Sequence, residues 1–326
     1  MMTSVSSTTD AIAESYRRFA SVEAAGRSWI YADIARRISR DERCLGFLAT
    51  LPAEKRQPNL LFAAVQLCGG RITGWDRFRS VLAGRAEAVA AVMLARRTQT
   101  NIPARCALLM PVLAALPQPL ALVEVGSSAG LCLYPDRYGY VYRGEDGEHR
   151  IEPAPGAPTF HCTVGPGTPL PERPVEVVWR VGLDLHPLDV TDPDHVAWLD
   201  ALVWPGEEHL GEQMHAAIAM ARAEPARLVE GDLRTDLPAL LAQAPPGATP
   251  VVFHTAVLAY LPDPADRARF AETVLASGAT WLANEAPEVV PGLAPAEPLL
   301  PGELLLRRDG EPLAATDPHA TSLRWL

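Results

Sequence analysis

The spacing of apolar positions changes character once along the chain. From about residue 9 to residue 115 it is helical: Ile12, Tyr16 and Phe19 share a face, as do Phe62 and Val65, and the run from Val81 to Leu94 keeps the period. Polar breaks at 51–59 and 69–74 separate these stretches and predict a helical N-terminal domain, 1–116, of four to six elements. After Pro119 short apolar runs take over: LALVEV (120–125), VEVVWRVGL (175–183), ARLVEGD (226–232), VVFHT (251–255) and TWLANE (280–285). Helix-periodic stretches near 192–203, 207–223, 236–243 and 264–277 fall between the later runs, two of them opening on Asp-Pro as capped helices do. This alternation predicts an α/β domain over 117–326, a doubly wound, mostly parallel sheet covered on both faces.

Two segments break the order. YGYVYRGEDGEHRI (138–151) alternates around Gly-Glu-Asp-Gly, and residues 153–174 then carry seven prolines. Together they predict an inserted β-ribbon and loop, about 134–174, over the edge or mouth of the sheet and forming part of a substrate lid. Near the end of the chain, Asp309-Gly310 between strand-like runs predicts an antiparallel edge hairpin. The first nine residues, rich in Ser and Thr, read as a frayed tail without the basic start and apolar run of a signal peptide.

Composition narrows the setting. With 326 residues and 48% apolar content, the chain can bury a substantial core. Its most apolar stretch, 106–125, is cut by Pro111, Pro117, Gln118 and Pro119, so it reads as a buried helix followed by a buried strand, and a cytoplasmic protein with no membrane partner is expected. Five scattered cysteines without a C-x-x-C pair argue against a disulfide framework and a zinc site. Glu208, Glu212 and His215 share a helical face at metal-compatible spacing but read as a solvated face, and no metal is expected. A net charge of -10 works against nucleic acid and leaves a small molecule as the expected partner. The oligomeric state stays open.

Chemistry concentrates at VEVGSSAGL (123–131), where an apolar run closes on Glu124 and five small residues follow. A Gly-rich turn between strand and helix lets a nucleotide-like cofactor lie against backbone N–H groups. The same letters spell Gly-x-Ser-x-Gly, the elbow that exposes a hydrolase nucleophile, here Ser128. The hydrolase reading needs an acid and a His on later strands, and Asp184 or Asp232 with His254, or Asp309 with His319, are available. Against it, the elbow follows the first strand of the sheet and no HGG-like loop precedes it. Polar residues end four successive strands (Glu124, Asp184, Asp232, His254 with Thr255), as expected of a site beyond the carboxyl ends of a parallel sheet.

This arrangement resembles the class I S-adenosylmethionine-dependent methyltransferase fold over residues 118 to 326, a Rossmann-like architecture. The resemblance implies that Glu124 opens the cofactor site, that Gly126, Ser127, Ser128 and Gly130 form its turn, and that Asp184 holds the ribose hydroxyls. It places Asp232 at the adenine amine, with Leu233 and Thr255 completing the S-adenosylmethionine contacts. Ser128 stands where a central glycine is usual, and the ribbon between the first two strands is atypical. At closer range KRQPNLLFAAV (55–65), RRTQTN (96–101), EVGSSAGL, GLDLHPLDVTDP (182–193) and RLVEGDL (227–233) are similar to an uncharacterised bacterial family catalogued as domain of unknown function 2332. The expected activity is methyl transfer to a small-molecule acceptor, the alternatives being a non-catalytic cofactor-binding or scaffold protein and a Ser128 hydrolase. His254 is the candidate general base, with Tyr260 and Glu285 as weaker catalytic candidates. Arg97, Gln99 and Asn101 are expected to cap the pocket, and Asp136 and Arg137 to form an intrachain ion pair near the substrate.

Overall fold

The computed structural model describes residues 2–99, 101–290 and 292–326, with side chains from Thr8 onward. Its α-helices are α1 (Met2–Arg18), α2 (Trp29–Ile38), α3 (Glu42–Ala49), α4 (Pro58–Gly69), α5 (Trp75–Gly84), α6 (Ala86–Ala95), α7 (Cys106–Ala114), α8 (Pro193–Ala201), α9 (Glu208–Ala223), α10 (Leu237–Leu241) and α11 (Pro264–Ala276). The strands are β1 (Leu120–Val125), β2 (Gly139–Gly144), β3 (Gly147–Ile151), β4 (Thr159–Val164), β5 (Val177–Asp184), β6 (Arg227–Glu230), β7 (Thr249–Thr255), β8 (Thr280–Glu285), β9 (Leu304–Arg308), β10 (Glu311–Thr316) and β11 (Ser322–Trp325). α1 starts at Met2, inside the stretch read from sequence as a frayed tail. The chain divides into two compact units: the first hundred residues with 191–212, and residues 101–190 with 213–326.

The first unit is helical because its polar breaks carry helix signals. Ser28 caps α2 by accepting from the Tyr31 N–H, Asp41 caps α3 through the Arg43 and Cys44 N–H groups, and Pro58 opens α4 where its missing N–H costs nothing. Phe62 on α4 is the hub of the core, meeting the rings of Tyr16, Phe19, Tyr31 and Phe78 at centroid distances of 4.3 to 6.4 Å. Residues 191–212 join this unit through Trp204, packed on Phe19 and Tyr31, and through Gln66, whose amide donates to the Ala201 and Val203 carbonyls. The crossover between β5 and β6 therefore leaves the sheet unit for one helix, α8, and returns along α9.

The second unit holds an eleven-stranded mixed sheet, mostly parallel, in the order β3-β2-β4-β11-β10-β9-β8-β7-β1-β5-β6. The five apolar runs form its parallel half, and the Asp309-Gly310 turn joins β9 to β10 as an antiparallel pair. Because side chains alternate across a strand, register assigns the faces. Val123, Val252 and Trp281 are register partners on the face buried under α10 and α11. Gly182, Glu124, Phe253 and Leu282 form the adjacent row and point to the opposite face.

Two expectations need correction. The small-residue turn after β1 does not open an α-helix; a single 3₁₀ turn, Leu131–Leu133, follows, and the connection to β5 runs through β2, β3 and β4. The inserted ribbon does not lie over the sheet: its Pro-rich half contains β4, which pairs with β2 and β11 and places the ribbon in the main sheet. Apolar burial holds it there, since Tyr138, Tyr140 and Tyr142 are fully buried and their hydroxyls donate to the Leu131, Pro135 and Ala107 carbonyls at 2.6 to 2.9 Å.

Candidate functional site

In chain order the parallel strands lie third-second-first-fourth-fifth, so the winding reverses between β1 and β7. Loops beyond the carboxyl ends diverge at such a point and leave a crevice for ligands. Glu124 and the turn that follows it stand there.

The turn is strongly left-handed: Gly126, Ser128 and Gly130 have φ of +67°, +51° and +68°. Backbone and side chains from both sides hold it. The Gly126 N–H donates to the Leu183 carbonyl at 2.8 Å, and the Ser128 N–H donates to Asp184 Oδ2 at 2.8 Å, while Asp184 Oδ1 accepts from the His186 N–H. Asn101 clamps the two ends, donating through Nδ2 to the Ser127 carbonyl at 2.9 Å and accepting at Oδ1 from the Leu131 N–H at 3.1 Å. Behind it, Cys106 Sγ donates to the Cys132 carbonyl and Cys132 Sγ to the Ile102 carbonyl. The glycines are also packing requirements. A Cβ on Gly126 would stand 2.5 Å from both methyl groups of Val257, and one on Gly130 would stand 2.7 Å from Leu228 Cδ2.

Glu124 is 3% exposed, and its Oε2 has no hydrogen-bond partner. Burial pushes its carboxyl well above the usual range, reinforced by Cys132 and the Asp184 carboxylate and opposed by Arg105. Ser127 Oγ is likewise buried without a partner. Unsatisfied buried polar atoms are uncommon, and two of them belong to residues three apart in the chain at the switch point.

On the α11 face, His254 is fully buried and both its ring nitrogens are engaged. The Trp281 indole N–H can only donate, and it meets Nε2 at 2.9 Å, so the proton sits on Nδ1 and is given to Glu285 Oε1 at 2.7 Å. The same Glu285 oxygen accepts from the Val257 and Leu258 N–H groups, and Oε2 has no partner. With no free nitrogen, His254 is placed to hold Glu285 and the loop carrying Val257, not to take a substrate proton.

The structure brings Glu124, the 126–130 turn, Asn101 and Asp184 together. Thr255 ends β7 with its Oγ1 accepting from Arg105 Nη1 at 3.2 Å. Asp232 lies just past β6, its carboxylate taken by Arg234, which holds it below the usual range, and Leu233 packs on the α11-side core. Tyr260 is 56% exposed. Asp136 forks onto Arg180 with two bonds of 2.8 Å, and Arg137 adds an ion pair at 3.5 Å and another to Glu224, so these residues tie the segment after the turn to β5. Arg97 and Gln99 belong to the helical unit, where the Arg97 carbonyl accepts from Trp198 Nε1; Thr100 of the same motif lies outside the described residues. Glu208 pairs with Arg71. Among the described residues, no helix is long and apolar enough to cross a membrane.

A family profile described as "Uncharacterized protein conserved in bacteria (DUF2332)" matches residues 13–325. The chain belongs to this family. No curated protein and no solved structure matches it. For this DUF2332 protein the geometry adds residues that the sequence reading passed over: Arg105, Asn284 and Thr316. Arg105 is a lone charge just ahead of the most apolar stretch, and Asn284 interrupts a buried strand. A polar residue inside an apolar run was the available signal.

Proposed function

We propose that the crevice at the β1–β7 switch point binds S-adenosylmethionine, and that the protein transfers a methyl group from it to a small-molecule acceptor. One observation carries the reading: Glu124, buried with an unpartnered oxygen, adjoins a left-handed turn whose N–H is tied to Asp184 on the next strand. That is the acid-turn-acid arrangement of methyltransferase-like sheets, and the third-second-first-fourth-fifth strand order supports it. Each Asp184 oxygen accepts one backbone N–H, and a carboxylate accepts about four bonds in all, so capacity for a ribose remains.

When bound, the cofactor supplies an electrophilic methyl group. The protein's part is to orient cofactor and acceptor and to exclude water, a contribution that needs no general base. The engagement of His254 is compatible with this. It also favours a second reading, a cofactor-binding protein without catalysis. The left-handed φ of Ser128 speaks for a nucleophile elbow, but both nitrogens of His254 are engaged elsewhere and only a 3₁₀ turn, not an α-helix, follows.

Calorimetry with S-adenosylmethionine and its demethylated product tests the reading. Both bind the wild type and bind Asp184→Ala more weakly. Absence of heat with either ligand, or covalent labelling of Ser128 by a fluorophosphonate, rejects it. Turnover on a metabolite panel then separates enzyme from binding protein.

A further inference from the structure

On the face of the sheet opposite α11, a buried cation stands without a bonded counter-ion. Arg105 is 8% exposed, and its described hydrogen bonds go to neutral oxygens: Nη1 to the Thr255 carbonyl and Oγ1, Nε to the Pro318 carbonyl. A buried guanidinium is normally matched by an acidic partner, because desolvating a charge is costly. A second unmatched group lies on the strand beside Thr255. Asn284 is fully buried, and its Nδ2 has no partner, while its Oδ1 is fixed by the Thr316 hydroxyl at 2.7 Å. With the Thr316 hydroxyl donating to Oδ1, the N–H₂ is the end of the amide left without a partner. Asn284 is the register partner of Thr255, so it and the Thr255 hydroxyl that receives Arg105 share a face.

We infer that Arg105 and Asn284 form a subsite for the carboxylate of a small-molecule ligand. A fixed amide N–H₂ beside a guanidinium offers donors suited to a planar carboxylate, the pairing in which Arg is most effective. The surrounding acids set the limit on charge. Glu124 and Glu285 both act on Arg105 electrostatically, so the net field tolerates one negative charge better than two, and a phosphate dianion is disfavoured. The described hydrogen bonds of Arg105 include neither acid, and Glu285 Oε1 is occupied by three protein N–H donors. The inference rests on reading the switch point as a ligand site, though not on that ligand being S-adenosylmethionine.

The test uses the full chain. S-adenosylmethionine and its decarboxylated analogue, which differ only in the carboxylate, are titrated into wild type, Asn284→Ala and Asn284→Asp. In parallel, thermal unfolding of each protein is followed in sodium acetate, benzoate and inorganic phosphate against chloride at equal ionic strength. Asn284→Asp keeps the acceptor for Thr316 while removing the free donor and adding a negative charge, so it separates lost recognition from lost folding.

Wild type is expected to bind the decarboxylated analogue about tenfold or more weakly than the parent, a gap that closes in both variants. Acetate and benzoate raise the wild-type melting temperature, phosphate does not, and neither variant responds. Equal binding of the two cofactors by wild type, with no stabilisation by acetate or benzoate, overturns the subsite and leaves the cofactor reading standing. No cofactor binding, with carboxylate stabilisation confined to wild type, overturns the cofactor and keeps the subsite. A flat response in every arm overturns both.

Discussion

Glu124→Gln tests the electrostatics at the switch point without reference to any ligand. In the fold the Glu124 carboxyl is buried, lies near Asp184 and titrates well above its ordinary value. An acid with a raised folded pKa stays protonated in the native state after it has ionised in the unfolded chain. Stability is therefore fully present below the unfolded value of about 4.3 and falls as pH rises toward the folded value, by about 1.4 kcal/mol per pH unit. Glutamine resembles the protonated acid in shape and does not titrate. Between about pH 5 and about pH 7 the wild type should therefore lose stability steadily relative to the variant. Urea unfolding followed by tryptophan fluorescence, taken as a difference between the two proteins at each pH, cancels the other titrating groups. A difference that stays constant across that window would falsify the claim that this carboxyl is held neutral. So would a variant whose relative stability falls toward neutral pH.

Three further outcomes follow from the same region. Gly126→Ala places a Cβ at φ +67° and 2.5 Å from Val257, so it should cost about 2–5 kcal/mol; adding Val257→Ala should recover the packing part in a double-mutant cycle, and no recovery would show that Val257 is not the obstacle. Asn101→Ala removes both clamps on the turn and should lower stability by about 2–3 kcal/mol in urea; an unchanged midpoint would mean that the turn holds itself. Trp281→Phe deletes the donor described at His254 Nε2, and imidazole nitrogen NMR should show the Nδ1–H tautomer in wild type and an Nε2 resonance that moves once its hydrogen bond is gone. Identical spectra would refute the assigned tautomer.

Much of the sheet was legible because its strands are fully buried and written as unbroken apolar runs. β1, LALVEV, is recovered residue for residue, and β8 likewise. The Asp192 and Asp263 caps were readable because each side chain accepts from an N–H two residues on, a purely local interaction. What escaped depends on partners far away in sequence. β4 lies in a Pro-rich stretch and is a strand because β2 and β11 flank it. α8 looked like an ordinary crossover helix, yet Gln66 and the aromatic pocket around Trp204 draw its segment into the helical unit. At the site, Glu124 and the turn announced themselves, whereas the role of His254 turned on an indole N–H that no local pattern reveals. Arg105 and Asn284 acquire meaning only once register puts Thr255 beside Asn284.

The pairing of β4 with β11, Thr163 against Ser322, has a consequence for biosynthesis. Three strands made early must wait for the last one before their inner edge is covered. Until synthesis has passed Trp325, β2, β3 and β4 are a detached patch with an open backbone ladder, the state in which nascent chains aggregate or recruit chaperones. Clipping the few residues of β11 would therefore be felt at the far border of the sheet, among the buried tyrosines, far along the chain from the cut.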